Sequence, residues 1–193
     1  MQHILKLLYI TIFLVASNTS FALQNPCFSP SYCCQDNIVE LLQGSQQSVQ
    51  IAIYAISNKK IAREIINAHR RGVEVNIVAD NLQSRGLRSL IGYLKNNNIP
   101  LVINNNPRKI EHNKFAIFDS KIMITGSYNW TNNATKNNSE NCLIETQPYI
   151  INAYQDRFTQ LWQQYNNIAT EVKTDRHFIK PKKSYIRVYT HYK

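Results

Sequence analysis

Acidic side chains are scarce in this chain of 193 residues: 12 Asp or Glu stand against 22 Lys or Arg, a formal net charge of +10 at pH 7 and a pI near 9.5. An excess of that sign favours a polyanionic partner, either nucleic acid or an anionic lipid surface. Long apolar runs are scarce too. The run from Leu7 to Ala16 falls short of the roughly 20 residues that span a bilayer. There is no C-x2-C pair among the four cysteines and no His beside their cluster at Cys27, Cys33 and Cys34, so a zinc site has no ligand pattern to rest on. No internal repeat is present. The hydrophobic share of 44% and the length suit one domain with a sizeable core.

The N-terminal stretch from Met1 to Ala22 carries Lys6, the short apolar run, and Ser20-Phe21-Ala22 as a small-x-small cleavage signal. It reads as a secretory signal peptide, which places the mature chain outside the cytoplasm, in the periplasm or secreted. Four cysteines agree with an oxidising compartment. The expected organisation is a signal peptide over 1–22, a cysteine-containing segment with a first helix over 23–45, a main domain over 46–168 and a basic tail over 169–193.

Within the domain, Asp36 to Leu42 suits a short helix stopped by Gly44. Val49 to Ile56 is nearly all apolar and reads as a strand covered on both faces. Lys59 to Arg71 puts Ile61, Ala62, Ile65 and Ile66 on one helical stripe, and Val73 to Ala79 alternates as a strand. Helix is expected again over Ser84 to Asn97, with Leu87, Leu90, Ile91 and Leu94 on one face, then a short strand at Leu101 to Ile103. Lys114 to Asp119 and Lys121 to Thr125 suggest a hairpin, Asn141 to Glu145 one more strand, and Tyr149 to Tyr165 a long amphipathic helix. The fold class is α/β: a single domain with a mixed, largely parallel β-sheet flanked by helices on both faces.

One stretch carries chemistry. In Glu111-His112-Asn113-Lys114 the imidazole and the ammonium are two residues apart at the head of an alternating run, so a strand would point both to one face. That pairing suits phosphate chemistry: an imidazole can attack phosphorus or carry a proton, and an ammonium neutralises non-bridging oxygens. Arg108 and Lys109 precede it on a loop, and Gly126-Ser127-Tyr128-Asn129 and Glu140 follow it. Lys173 to Lys193 mixes seven cations with Tyr185, Tyr189 and Tyr192, a composition suited to single-stranded nucleic acid or to a solvated tail.

The spacing H-x-K-x4-D followed by G-S-x-N, met here by His112, Lys114, Asp119, Gly126, Ser127 and Asn129, resembles the HKD motif of the phospholipase D superfamily. The likeness runs from about Cys27 to about Tyr165, and the size is similar to that of the superfamily's small single-motif bacterial endonucleases. The resemblance implies a phospholipase D-like fold and a covalent phosphohistidine on His112. Lys114, Ser127 and Asn129 would hold the phosphate, Glu140 would orient an imidazole, and Asp119 completes the motif; the catalytic set is then His112, Lys114, Asp119 and Glu140, with no metal and no cofactor. It also implies a Cys27–Cys34 disulfide, by the C-F-S-P-x3-C spacing of similar proteins.

Two displacements need an acid for the leaving alkoxide and a base for water, which one covalently occupied imidazole cannot supply. His3, His69, His177 and His191 lack motif context. A two-fold homodimer that faces two copies of His112 is therefore expected. The functional expectation is an exported, metal-independent phosphodiesterase acting as a nuclease on DNA or RNA. The alternatives are a phospholipase D acting on phosphatidylcholine-type lipids and a non-catalytic basic binding protein.

Overall fold

The computed structural model describes residues 26–175, apart from 105 and 107. The expected signal peptide, and the tail from residue 176 onward, lie outside the described residues. Seven strands form one sheet in the order β1-β7-β6-β5-β2-β3-β4. Its centre is β2 (Ser48–Ile53), parallel to β3 (Glu74–Ala79) on one side and antiparallel to β5 (Lys114–Phe118) on the other. Beyond β3 lies β4 (Leu101–Ile103), again parallel. Beyond β5 come β6 (Ile122–Gly126), β7 (Glu140–Glu145) and β1 (Cys27–Ser29), all antiparallel. The sheet is thus mixed, as expected, but four of its six neighbouring pairs are antiparallel rather than most being parallel. Only the first half of the chain has crossover helices, which parallel pairing requires.

Alternation along the strands separates two cores. Val49, Ile51 and Ile53 of β2, with Ala116 and Phe118 of β5, face one side, and Ala52, Phe115 and Ile117 face the other. The first side is covered by α1 (Cys33–Gly44), α2 (Lys59–Arg70), α4 (Ile91–Asn96) and α5 (Asn132–Lys136). The second is covered by α6 (Pro148–Asp175), whose Ile151, Phe158, Leu161 and Tyr165 are buried. Helix α2 forms where the stripe predicts it, and its start is fixed by Asn58, whose side chain accepts hydrogen bonds from the Lys60 and Ile61 N–H groups.

Three boundaries differ from expectation. The single helix expected over Ser84 to Asn97 is split into α3 (Asn81–Ser84) and α4. The Leu90 N–H donates to the Ile56 carbonyl at 3.0 Å, and this tertiary bond draws residues 85–90 out of a helical path. Leu87 is left fully exposed. Helix α6 runs on to Asp175, past the expected tail boundary. Within the segment expected over 23–45, Cys27–Ser29 pair with β7 as an edge strand of the same sheet.

The disulfides are Cys27–Cys33 and Cys34–Cys142, not Cys27–Cys34. Because α1 begins at Cys33, Cys33 and Cys34 project about 100° apart around the helix. Cys33 stays at the surface within reach of β1, while Cys34, fully buried, meets β7. All four cysteines of the chain are paired, which removes the zinc reading of the cluster.

Candidate active site

At one end of the sheet the C-terminal ends of β2, β3 and β6 meet the N-terminal ends of β5 and β7. This end collects Tyr54, Asp80, His112, Lys114, Ser127, Asn129 and Glu140. Tyr54, just past β2, is the hub. Its ring lies 4.5 Å from the His112 ring, and the Lys114 Nζ sits 4.9 Å from its centroid. His112 is exposed, whereas Lys114 is 8% exposed. The Lys114 ammonium donates to the His112 carbonyl at 2.6 Å and forms no ion pair among the described residues. Burial pulls its pKa below the usual lysine value, while the charges of Glu140 and Glu111 act to raise it.

His112 lies just outside β5, in a segment held from both sides. The Glu111 N–H donates to Asp80 Oδ2 at 3.0 Å. The Glu111 carboxylate in turn accepts from the Asn113 N–H at 3.1 Å and the Asn113 amide at 2.5 Å, and from the Tyr165 hydroxyl at 3.1 Å. Tyr54 N–H closes the segment by donating to the Asn113 carbonyl at 2.9 Å. Asp80 and Glu111 are 1% and 2% exposed, so both are buried carboxylates whose role is to fix backbone. Burial first, then the Glu111 charge and hydrogen bond, push the Tyr165 phenol up to about 12.

On the facing strands Gly126 ends β6 where a Cβ would overlap the Asn141 carbonyl oxygen. The Ser127 hydroxyl donates to Glu140 Oε2 at 2.6 Å and accepts from the Asn141 N–H at 3.0 Å. Glu140 Oε1 accepts from the Asn138 amide at 3.0 Å. Glu140 is therefore engaged with Ser127 and Asn138, not with the imidazole of its own chain. The Asn129 Oδ1 is buried with no partner; with the amide turned over, the same position presents N–H to an incoming oxygen.

Asp119 is not brought into this site. It stands at the opposite end of β5, about 16 Å away at 3.3 Å per residue. Its Oδ1 accepts from the N–H groups of Gln46, Gln47 and Ser48 at 3.2, 2.8 and 3.0 Å. Burial works to raise its pKa, but these three backbone bonds together with Lys121 hold the carboxyl below the usual range. With Ser120 it forms the β5–β6 turn, both at positive φ. Arg108 and Lys109 are exposed on the loop that leads to Glu111. Tyr54, Asp80, Glu111 and Tyr165 were not singled out from the sequence; the adjacency of Glu111 to His112 was the only local hint.

A model of the cardiolipin synthase, PLD-like domain matches residues 38–162. The chain belongs to the phospholipase D superfamily. This superfamily member is 36% identical over 126 residues to a mitochondrial cardiolipin hydrolase of Xenopus tropicalis, covering 65% of the chain and 60% of the relative. It is 36% identical over 128 residues to a phospholipase D of Rickettsia typhi, covering 66% and 62% respectively. The chain spans about 60% of the length of the first curated relatives it matches. Among solved structures the phospholipase D family member Nuc of Salmonella typhimurium superposes with a TM-score of 0.67 at 28% identity, covering 73% of this chain and 94% of that one. NucT from Helicobacter pylori gives 0.64 at 25% identity, covering 72% and 96%. The mixed seven-stranded α/β sheet found here thus matches the fold of phospholipase D family members such as Nuc.

Proposed function

We propose that this phospholipase D superfamily member is an exported phosphodiesterase that hydrolyses nucleic acid without a metal, through a phosphohistidine on His112. The observation that carries the reading is an exposed imidazole beside a buried ammonium that has no contacting carboxylate. A cation held in a low-dielectric site without a contacting counter-ion favours an entering anion, and a phosphodiester brings one to the imidazole. His112 attacks phosphorus, the P–O bond to the leaving group breaks, and the alkoxide takes a proton from His112 of a second copy. Water then attacks the phosphohistidine, giving its proton to that second imidazole, and His112 is released. Lys114 and the Asn129 amide stabilise charge on the non-bridging oxygens in both steps. Ser127 and Glu140 hold the facing wall, and the Glu140 charge favours the protonated state of Lys114.

The net charge of +10 supports a long polyanion over a single headgroup. The near-complete coverage of Nuc by this compact chain supports the single-motif nuclease format. The paired cysteines support export. Phospholipid hydrolysis by the same chemistry is the second reading, favoured by the names of the curated relatives and by Leu82 and Leu87, which are 66% and 107% exposed.

Purified protein assayed in EDTA on plasmid DNA, single-stranded RNA and phosphatidylcholine vesicles separates these readings. Nucleic acid should be cut and the vesicles left intact, and the reverse result would replace the nuclease by the lipase. His112→Asn should lower turnover on the order of 10³-fold or more while folding and binding persist. Equal turnover by wild type and variant would refute the assignment of His112 as the nucleophile.

A further inference from the structure

Beside the His112 site lies a groove of about 370 Å³ whose walls include Ser57, Lys59, Arg88, Ser89, Asn132 and Asn133. No carboxylate lines it, and neither Lys59 nor Arg88 is in an ion pair among the described residues. Two unneutralised cations sharing one groove with hydroxyl and amide groups favour an anion with several acceptor oxygens. Both ends of the groove are tied to the catalytic residues. Ser57 lies three residues beyond Tyr54, so at most about 10 Å of chain separates them. The Ser57 and Asn58 N–H groups donate to the Trp130 carbonyl at 2.9 and 3.0 Å, and Trp130 follows Asn129. On the other wall the Asn133 amide donates to Asn138 Oδ1 at 2.6 Å, and the Asn138 amide donates to Glu140 at 3.0 Å. A continuous set of hydrogen bonds therefore runs from the groove through Asn133 and Asn138 to Glu140 and Ser127.

We infer that this groove holds a backbone phosphate of the nucleic acid neighbouring the scissile one, with Lys59 and Arg88 as its ligands. The inference rests on the nuclease reading above. It assigns the two cations to substrate length: they act on a polynucleotide and have nothing to hold on a diester with one phosphate. Leu87, fully exposed between Arg88 and Gly86, offers an apolar surface at the same rim for a base or sugar.

The test compares wild type with the Lys59→Ala/Arg88→Ala double variant on a single-stranded oligonucleotide and on bis(p-nitrophenyl) phosphate. Both side chains are exposed, so the variant should keep its unfolding temperature. KM for the oligonucleotide should rise about tenfold, and the slope of log(kcat/KM) against log salt should fall in magnitude by about one. Kinetic constants for the small diester, and kcat on the oligonucleotide, should stay as they are. Arg88→Glu alone should raise the oligonucleotide KM in the same direction. If wild type cuts the oligonucleotide and the variants do so with unchanged KM and salt slope, the groove assignment is wrong while the nuclease reading stands. If wild type hydrolyses the small diester but leaves the oligonucleotide intact, both fall. An equal loss on both substrates would place Lys59 and Arg88 in the general integrity of the site and overturn the assignment.

Discussion

Asp119 shows how a motif position can be legible and its role not. The spacing locates it, but which end of β5 faces the substrate is set by the strand's partners, and these put Lys114 at the site and Asp119 at the opposite end. There its carboxylate joins the loop before β2 to the β5–β6 turn. Asp119→Asn keeps a residue that tolerates positive φ and removes the charge from three backbone hydrogen bonds, so it should cost about 1 to 2 kcal/mol in urea unfolding near neutral pH. The folded-state pKa is depressed, so this stabilisation is fully present above the unfolded value of 3.8 and is lost as pH falls through the lower folded pKa. The variant and wild type should therefore converge on acidification, with activity per folded molecule equal near neutrality. A collapse of turnover with stability intact would return Asp119 to the chemistry.

Lys114 supplies the opposite sign. Its pKa is lowered by burial, so the cation proposed to neutralise the phosphoryl group is lost as pH rises through a value below the ordinary 10.5. The alkaline limb of kcat/KM should reflect that loss. Glu140 acts to raise the Lys114 pKa, so Glu140→Gln should move the limb of its residual activity to still lower pH, as a pH-rate profile would read. A limb that stays put or moves up would show that the Glu140 charge is not felt at Lys114.

Among the elements, those with a long apolar stripe were the legible ones: the α2 stripe, the apolar run of β2 and the aromatic ladder of α6 each needed only their own residues to be read. The misread elements depend on distant partners. Leu87, Leu90, Ile91 and Leu94 have helical spacing, yet Leu90 is captured by Ile56 and the helix is split. Strand β1 has three residues, too few for periodicity, and exists because β7 offers an edge and Cys34 reaches Cys142. Nothing adjacent in the sequence marks Glu111 or Asp80 as buried: the hydroxyl that covers Glu111 comes from Tyr165 in α6, and Asp80 is buried against the Glu111 backbone. The two disulfides should differ in weight. Cys34–Cys142 spans 108 residues and Cys27–Cys33 spans 6, so closing the longer loop restricts the unfolded chain more. Cys142→Ser should cost about 5 kcal/mol and Cys33→Ser about 2, measured by denaturant unfolding of each variant. Equal losses would mean that loop closure is not what these bonds supply.

The sequence carries one H-x-K-x4-D pattern, and the mechanism proposed above calls for two imidazoles. Among the described residues the other histidine, His69, stands in α2, and the mechanism proposed above draws the acid for the leaving group from a second copy. If each two-fold dimer forms one composite site from two His112 side chains, a dimer with a single His112→Asn subunit lacks either nucleophile or acid and turns over slowly. Mixing wild type with His112→Asn in equal amounts, after subunits have exchanged, gives wild-type dimers as about one quarter of the total. Activity per total protein should fall to about that quarter, and follow the square of the wild-type fraction across a titration. A monomer carrying its own complete site would give one half and a straight line. The mixing curve thus reads the number of imidazoles per phosphorus directly, and a linear titration by a protein that sediments as a monomer would end the shared-site mechanism.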